Sequence, residues 1–292
     1  MVGQDVVATR YTPPKYSFPS ASSDAAADAG SSAEWFLVDS TPASCSQIGL
    51  HHLFPPTGPR GKVDLVVSGP NYGRNSSAAF ALSSGTLGAA LEAAVAGHRA
   101  IALSFAFLDR ENKPDVVAGA CRHARRVVEN LAASSWGMNE GLGLAYGPNN
   151  APDAANPAAV VYTVNVPLVP GVEEAPTLWT HMLQNRWASS CFVERGPPTA
   201  GGEMPDLAEQ ELRSHEGPGD QTPRDVEVQD QSSSDQGERH FKWSPKFTDV
   251  YQSVERAGPG TDGWTVSRGQ TSVTMLQANF MHVPGRSGEL KL

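Results

Sequence analysis

The sequence predicts an α/β fold with a mostly parallel sheet and helices on its faces. The main evidence lies within residues 63–105, where an apolar run indicates a buried strand that ends in Ser-Gly-Pro-Asn at residues 68–71. Residues 83–86, Ser-Ser-Gly-Thr, then open an alanine-rich helix, and a second apolar run begins at Ala100. A strand, a helix and a second strand in this order form a βαβ unit, in which the two strands are parallel.

The rest of the chain supplies further elements of the same kind. Between Pro114 and Ser134, apolar residues recur at helical spacing, which predicts an amphipathic helix against the sheet. The sequence also predicts a short strand over residues 35–38, a helix over 42–53 and a buried strand over 160–166.

The charge of the chain is concentrated in one segment. The net charge is −9, but residues 203–240 hold eleven acidic residues against three arginines, so the remainder is close to neutral. That segment has no apolar periodicity, and we expect residues 196–240 to be a disordered acidic insertion. A plain solvated insertion is the simpler interpretation, and a phosphorylatable tether is the alternative. Residues 11–33 are predicted to be a low-complexity loop within a single domain over residues 1–292.

The composition argues against several other classes of protein. No apolar run approaches the roughly 18 residues that a membrane helix needs, and we expect neither a membrane segment nor a secretory leader. Three widely spaced cysteines argue against a disulfide framework and favour a reducing cytoplasm. The sequence lacks the basic clusters of a nucleic-acid-binding face and the Gly-x-Ser-x-Gly elbow of a serine hydrolase.

Two candidate binding features lie close together in the βαβ unit. Open α/β sheets bind ligands at the carboxyl ends of their strands, and the N–H groups at a helix start suit a phosphate. Ser84, Gly85 and Thr86 are therefore candidates for phosphate binding, with an ordinary helix cap as the alternative. Asn71 is a candidate ligand at the strand end, although asparagine is also common there as a turn residue.

Several short blocks follow one another in an order that is typical of one protein family. SGPNYGRN at residues 68–75 is followed by SSGTLGAALEA at residues 83–93. Further blocks are DSTPASC at residues 39–45, TVNVP at 163–167, DGWTV at 262–266 and GQTSVT at 269–274. Together they resemble the signature of the SurE (survival protein E) family of metal-dependent nucleotide phosphatases. The amino-acid sequence is most similar to that of the fungal branch of the family.

The resemblance implies a Rossmann-like sheet, with appended hairpins in the aromatic-rich residues 177–192 and 241–283 that serve dimer contacts. It also implies a site in which Asn71 is a ligand of Mg²⁺ or Mn²⁺. The phosphate-binding residues that it implies are Ser84, Gly85, Thr86, Gly73 and Asn75.

One part of the family pattern is absent. Family members begin with a strand that ends in Asn-Asp-Asp-Gly, whose paired aspartates hold the metal, yet this sequence contains no Asp-Asp pair. Residues 1–4 resemble the interior of a family member, so we expect an N-terminally truncated member. Asn71 alone would not hold the metal, because hard cations need several oxygen ligands, carboxylates in particular. No catalytic residue is therefore assigned from the sequence.

The function implied by the resemblance is metal-dependent hydrolysis of a phosphomonoester, of the nucleotidase or acid phosphatase type. A nucleoside monophosphate is the expected substrate, and the missing aspartates put the activity of this chain in question. The alternative is a non-catalytic protein that keeps the fold and binds a nucleotide or phosphate, or acts as a scaffold. We expect a cytoplasmic homodimer that binds neither nucleic acid nor membrane.

Overall fold

The computed structural model describes residues 5–13, 33–59, 61–107, 113–134, 136, 160–195, 239–245 and 247–278. Most of the predicted low-complexity loop and most of the predicted acidic insertion lie outside these residues. The structure corrects one boundary of each of these two segments. Tyr11 ends a strand rather than beginning the loop, and His240 begins a strand rather than ending the insertion.

In the part of the chain that the structure describes, we label nine strands and six helices. The elements in chain order are β1 (Ala8–Tyr11), β2 (Trp35–Val38), α1 (Pro42–Ile48), β3 (Val66–Tyr72), α2 (Ala78–Ala81), α3 (Gly85–Val95), β4 (Ala100–Ala106), α4 (Pro114–Ala133), β5 (Val160–Pro167), β6 (Thr177–Trp179), β7 (Phe192–Arg195), β8 (His240–Trp243), α5 (Phe247–Ala257), α6 (Asp262–Ser267) and β9 (Thr271–Gln277). The predicted helix over residues 42–53 is present, but it changes to a π-helical turn over Gly49–Leu53.

Five strands form the central sheet, in the order β3-β4-β5-β9-β6. Strands β3, β4 and β5 are parallel, as the βαβ pattern predicts, and β6 is parallel to β9. Only the pairing of β5 with β9 is antiparallel within this sheet. The predicted α/β class with a mostly parallel sheet and flanking helices is confirmed.

The structure corrects the position of the appended hairpins. An antiparallel ribbon does form between β7 and β8. Residues 177–179, however, form the edge strand of the central sheet, and residues 271–277 form its fourth strand. The segment before β9 is helical because its buried residues recur at helical spacing, as Phe247, Val250 and Val254 do in α5.

Helices pack on both faces of the sheet. On one face, α4 covers large apolar side chains such as Leu103 and Val164. On the other face, α3 covers small ones such as Ala100 and Ala102, and Ala90 and its neighbours on α3 are themselves small. Among the helices that the structure describes, none is long and apolar enough to cross a membrane.

Candidate phosphate-binding site

The carboxyl end of β3 is irregular, and this irregularity presents Asn71. The register of β3 against β4 shifts between Ser68 and Asn71, as at a β-bulge. A bulge redirects the side chains that follow it. The N–H group of Gly73 then donates to the carbonyl oxygen of Phe105 at 3.0 Å and holds the backbone at the strand end. A Cβ atom on Gly73 would lie 2.9 Å from Nδ2 of Asn71, so a side chain at this position would displace the Asn71 amide.

Helix α3 begins beside this strand end with a capped first turn. Ser84 is its N-cap, and the Ser84 hydroxyl oxygen accepts a hydrogen bond from the N–H group of Leu87 at 3.1 Å. The N–H groups of Gly85 and Thr86 belong to the first turn, where backbone N–H groups have no acceptor within the helix. A Cβ atom on Gly85 would lie 2.9 Å from Cγ of Pro42, so glycine allows α1 to pack against this turn. The cap uses the Ser84 hydroxyl and the Leu87 N–H group, and it leaves the N–H groups of Gly85 and Thr86 for another acceptor.

Asn75 joins the strand end to the helix start. Its side chain is buried, with 1% exposed. Its Oδ1 accepts a hydrogen bond from the Ser84 hydroxyl at 2.7 Å and lies 3.5 Å from Nδ2 of Asn71, while its Nδ2 donates to Ser104. The amide nitrogen of Asn71 faces Asn75, so the amide oxygen of Asn71 is not used in this contact. Asn75 thus connects Asn71 to Ser84, and its direct contact with a phosphate stays a prediction.

A row of polar side chains crosses the sheet beneath this site. Asn71, Ser104, Asn165 and Ser272 occupy partner positions on β3, β4, β5 and β9. Oδ1 of Asn165 accepts a hydrogen bond from the N–H group of Asn75 at 3.0 Å, and its Nδ2 donates to the Ser272 hydroxyl at 3.3 Å. Buried polar groups are stabilised by such pairing, so the row supports Asn75 from below.

Asp262 fixes the loop that follows Asn75. Its buried carboxylate accepts hydrogen bonds from the N–H groups of Ser77 at 2.8 Å, Leu183 at 3.0 Å and Gly263 at 2.6 Å. Burial raises the pKa of the Asp262 carboxyl, and these backbone hydrogen bonds act in the opposite direction. Ser77 has a positive φ of 66°, a conformation that needs such support. The block DGWTV at residues 262–266 forms most of helix α6.

A cleft of about 250 Å³ opens over the strand end and the start of α3. The structure brings all six predicted site residues to it: Asn71, Gly73, Asn75, Ser84, Gly85 and Thr86. Sequence reasoning missed the remaining lining residues, which are Tyr72, Arg74, Phe80, Ser83, Trp187 and Phe247. Arg74 could have been predicted from the sequence, because it lies between the candidates Gly73 and Asn75. Trp187 and Phe247 could not, because they come from distant segments.

Arg74 gives the cleft a positive charge. Its guanidinium donates to the carbonyl oxygen of Phe107 at 2.9 Å and lies over the ring of Tyr251, with 5.2 Å to the centroid. These contacts hold the cation in place without neutralising it. No carboxylate is among the described residues that line the cleft.

The described residues do not fit a divalent metal. In the parts of the chain that the structure describes, no group of three or more His, Cys, Asp or Glu side chains could hold a metal ion. The predicted ligand Asn71 supplies one neutral amide oxygen, and Mg²⁺ or Mn²⁺ requires several oxygen ligands.

The fold and the cleft define an α/β protein with a polar cleft where strand β3 ends and helix α3 begins. The family model described as Survival protein SurE matches residues 9–189. The chain therefore belongs to the SurE family.

Individual relatives agree with this assignment. The chain is 38% identical over 139 residues to "5′-nucleotidase SurE" of Ruegeria pomeroyi, a match that covers 47% of this chain and 45% of that protein. It is 30% identical over 269 residues to "Probable tubulin--tyrosine ligase PBY1" of Saccharomyces cerevisiae, which covers 89% of this chain and 29% of that protein. The chain thus spans less than half the length of either relative.

A solved structure also resembles the chain. The crystal structure of the Sure protein from Aquifex aeolicus covers 85% of this chain, which in turn covers 71% of that chain. The sequence identity is 20% and the TM-score is 0.46.

Proposed function

We propose that this chain is a phosphomonoester-binding SurE domain, and that the described cleft holds the phosphate of its ligand without the carboxylates that metal-dependent hydrolysis needs. The composition of the cleft carries this proposal. It combines the start of α3, the amide of Asn71 and the cation of Arg74, and no acidic side chain is among its described lining residues. Such a set attracts an anion and does not hold a metal.

Each group has a distinct part in binding. The N–H groups of Gly85 and Thr86 donate to phosphate oxygens, aided by the positive end of the helix dipole. Arg74 adds a charge-assisted contact. Ser84 is engaged by Leu87 and Asn75, so its hydroxyl shapes the turn around the phosphate.

A nucleoside monophosphate is the proposed ligand class. Support comes from the 5′-nucleotidase relatives, whose matched segments span half of their length or less. For hydrolysis, Mg²⁺ or Mn²⁺ would need carboxylate ligands from outside the described residues. The ligase activity in the name of the yeast relative is not proposed for this chain, because the match covers 29% of that protein. The dimer and the cytoplasmic location stay predictions.

Calorimetric titration of the purified chain tests the proposal. AMP should bind with the same affinity in Mn²⁺ as in EDTA, and the affinity for inorganic phosphate should likewise not depend on the metal. AMP should not be hydrolysed in either condition. Arg74→Gln should weaken binding by about tenfold, the loss expected for a charge-assisted hydrogen bond. The matched control is Arg125→Gln on α4, whose side chain is 78% exposed and which lies outside the cleft.

Two results would contradict the proposal. Failure of both ligands to bind would remove the phosphate site. Metal-dependent turnover by the purified chain would show that a complete metal site exists and that the binding-only account is wrong.

A further inference from the structure

The ribbon formed by β1 and β2 has one face that is apolar and exposed. In the register of the two strands, Tyr11 pairs with Trp35 and Thr9 pairs with Leu37. Val7 extends the same side of β1, because side chains alternate between the two faces of a strand and its carbonyl oxygen accepts a hydrogen bond from the residue after β2 at 3.0 Å. We refer to these five residues as the apolar stripe. Its large members are exposed: Val7 by 60%, Tyr11 by 38%, Trp35 by 53% and Leu37 by 57%.

The opposite face of the ribbon is the one that packs against the rest of the chain. The side chains of β2 alternate between exposed and half-buried, and Phe36 on the half-buried side contacts Phe54 edge-on, with 6.2 Å between ring centroids. The charged pair of Arg10 and Glu34, with 3.1 Å between nitrogen and oxygen, lies on the same side as Phe36, which is the register partner of Arg10. The apolar stripe therefore carries no charged side chain.

An exposed face of this kind is unfavourable in a ribbon of only two strands. Such a ribbon is marginally stable in water by itself, and among the described residues no third strand joins β1 and β2. A contiguous exposed apolar surface typically marks a contact site. The apolar stripe thus suits a partner that covers it with apolar groups.

Charge indicates which kind of partner fits. Attachment to an anionic lipid surface needs basic side chains beside the apolar ones, but Arg10 is the one charged residue of β1 and β2 and it is paired on the other face. A second copy of the same chain meets no such requirement, because two uncharged stripes do not repel each other. The residues outside 203–240 are close to neutral, so the bodies of two copies also repel each other little.

The size of the stripe sets the strength of the contact. Since an aromatic side chain buries about 150–250 Å² in full, the exposed parts of the stripe amount to roughly 400 Å² per copy. Two copies would bury about 800 Å² in total, which is less than the 1,200–2,000 Å² of a specific, stable interface. The area therefore fits a reversible pairing and not a permanent one.

We infer that the apolar stripe is a self-association surface, at which the ribbons of two copies pack face to face about a two-fold axis. A two-fold axis places identical surfaces against each other, and two ribbons packed in this way cover Trp35 and Leu37 of both copies. This surface is separate from residues 177–192 and 241–283, for which the family resemblance implies dimer contacts. It also shares no residue with the cleft, so it does not depend on the proposed phosphate site.

Sedimentation velocity over a range of protein concentrations tests the inference. Leu37→Glu should weaken self-association by about tenfold or more, because like charges brought together across an interface are strongly unfavourable. The matched control is Val95→Glu, which introduces the same charge at an aliphatic residue that is 67% exposed on α3 and outside the stripe. It should leave self-association unchanged.

A second variant keeps the test valid if the charge disturbs the ribbon. Leu37→Thr removes apolar area but retains a residue that favours strands, and it should weaken self-association several-fold. Circular dichroism checks that each variant is folded. Flotation with phosphatidylserine vesicles serves as the comparison for a lipid partner, and the unmodified chain should stay unbound.

Four results would overturn the inference. The unmodified chain could remain monomeric up to millimolar concentration, or the folded variants at Leu37 could associate as strongly as the unmodified chain. An equal loss in Val95→Glu would show a general effect of charge instead of a defined surface. Vesicle binding that Leu37→Glu abolishes would show that the stripe contacts lipid and not a second copy. Each of these results would leave the proposed phosphate site unaffected.

Discussion

The two faces of the central sheet differ in the size and polarity of their side chains. Along β4, Ile101, Leu103 and Phe105 belong to the core that α4 covers. The alternate positions Ala100 and Ala102 belong to the core that α3 covers, and Ser104 follows them in the polar row. Neighbouring residues of one strand thus face two different environments.

We expect this difference to give the two faces different roles: one mainly stabilises the fold, and the other mainly positions the site. The face under α4 buries large apolar groups, which contribute most of the hydrophobic stabilisation per residue. Alanine contributes little apolar area, but its short side chain lets α3 pack close to the sheet. We infer that the face under α3 is built to bring the N-terminus of α3 to the end of β3.

The largest effect on stability is expected on the face under α4. Leu103→Ala should lower the free energy of unfolding by about 2–5 kcal/mol, because it leaves a cavity among buried apolar side chains. Its affinity for phosphate should not change under conditions where it is folded. Urea denaturation and calorimetry measure the two quantities. A loss of affinity in the folded variant would show that the two faces are not separable.

A smaller loss of stability with a larger effect on binding is expected on the other face. Asn165→Ala removes the acceptor of the Asn75 N–H group, and leaving a buried donor unpaired costs about 1–3 kcal/mol. Because Asn75 contacts both Asn71 and Ser84, phosphate affinity should fall by about tenfold. The control is Val164→Ala, which truncates the adjacent buried residue on the opposite face. Unchanged phosphate affinity in Asn165→Ala would contradict the positioning role of the polar row.

The smallest expected effect is on the pH dependence of stability, and it comes from His123 on α4. Nε2 of His123 lies 3.1 Å from each of the hydroxyl oxygens of Thr271 and Thr177. Burial lowers the pKa of His123, as does the charge of Arg126, while Glu173 and Glu174 act in the opposite direction. A histidine with a lowered pKa adds stability above its unfolded-state pKa of about 6.5 and loses it as the pH falls through the folded-state pKa.

Comparison with His123→Gln isolates this contribution. The unmodified chain should lose stability between pH 7 and pH 5, and the variant should lose less over the same range. Urea denaturation at each pH provides the measurement. Parallel pH profiles would mean that His123 does not titrate differently in the folded and unfolded states.

Local signals were sufficient to predict much of the fold and the core of the site. Apolar runs located β3 and β4, and the serines before Gly85 located the start of α3. These features depend on residues that are near one another in the chain. The sequence therefore predicted that the strand end with Asn71 and the helix start with Ser84 belong to one site, and Asn75 connects the two. The predicted buried character of β3 is wrong, because β3 begins at Val66, runs through Gly69 and Pro70 to Tyr72 and lies half-exposed at the edge of the sheet.

The remaining features depend on pairing between distant segments. The polar row exists only because four strands share one register, which no single strand reveals. The insertion of β9 between β5 and β6 is likewise a matter of topology rather than of local pattern. Trp187 and Phe247 reach the cleft through tertiary packing, and nothing in their own segments marks them as cleft residues.

The central claim is that a phosphate binds at the first turn of α3, and the amide resonances of that turn test it most directly. In two-dimensional ¹⁵N spectra titrated with inorganic phosphate, the account predicts that the Gly85 and Thr86 signals shift most and saturate. The same titration with Arg74→Gln should need a higher phosphate concentration to saturate. If these two signals do not move while phosphate is in large excess, or if the largest shifts fall on α4, the account is wrong.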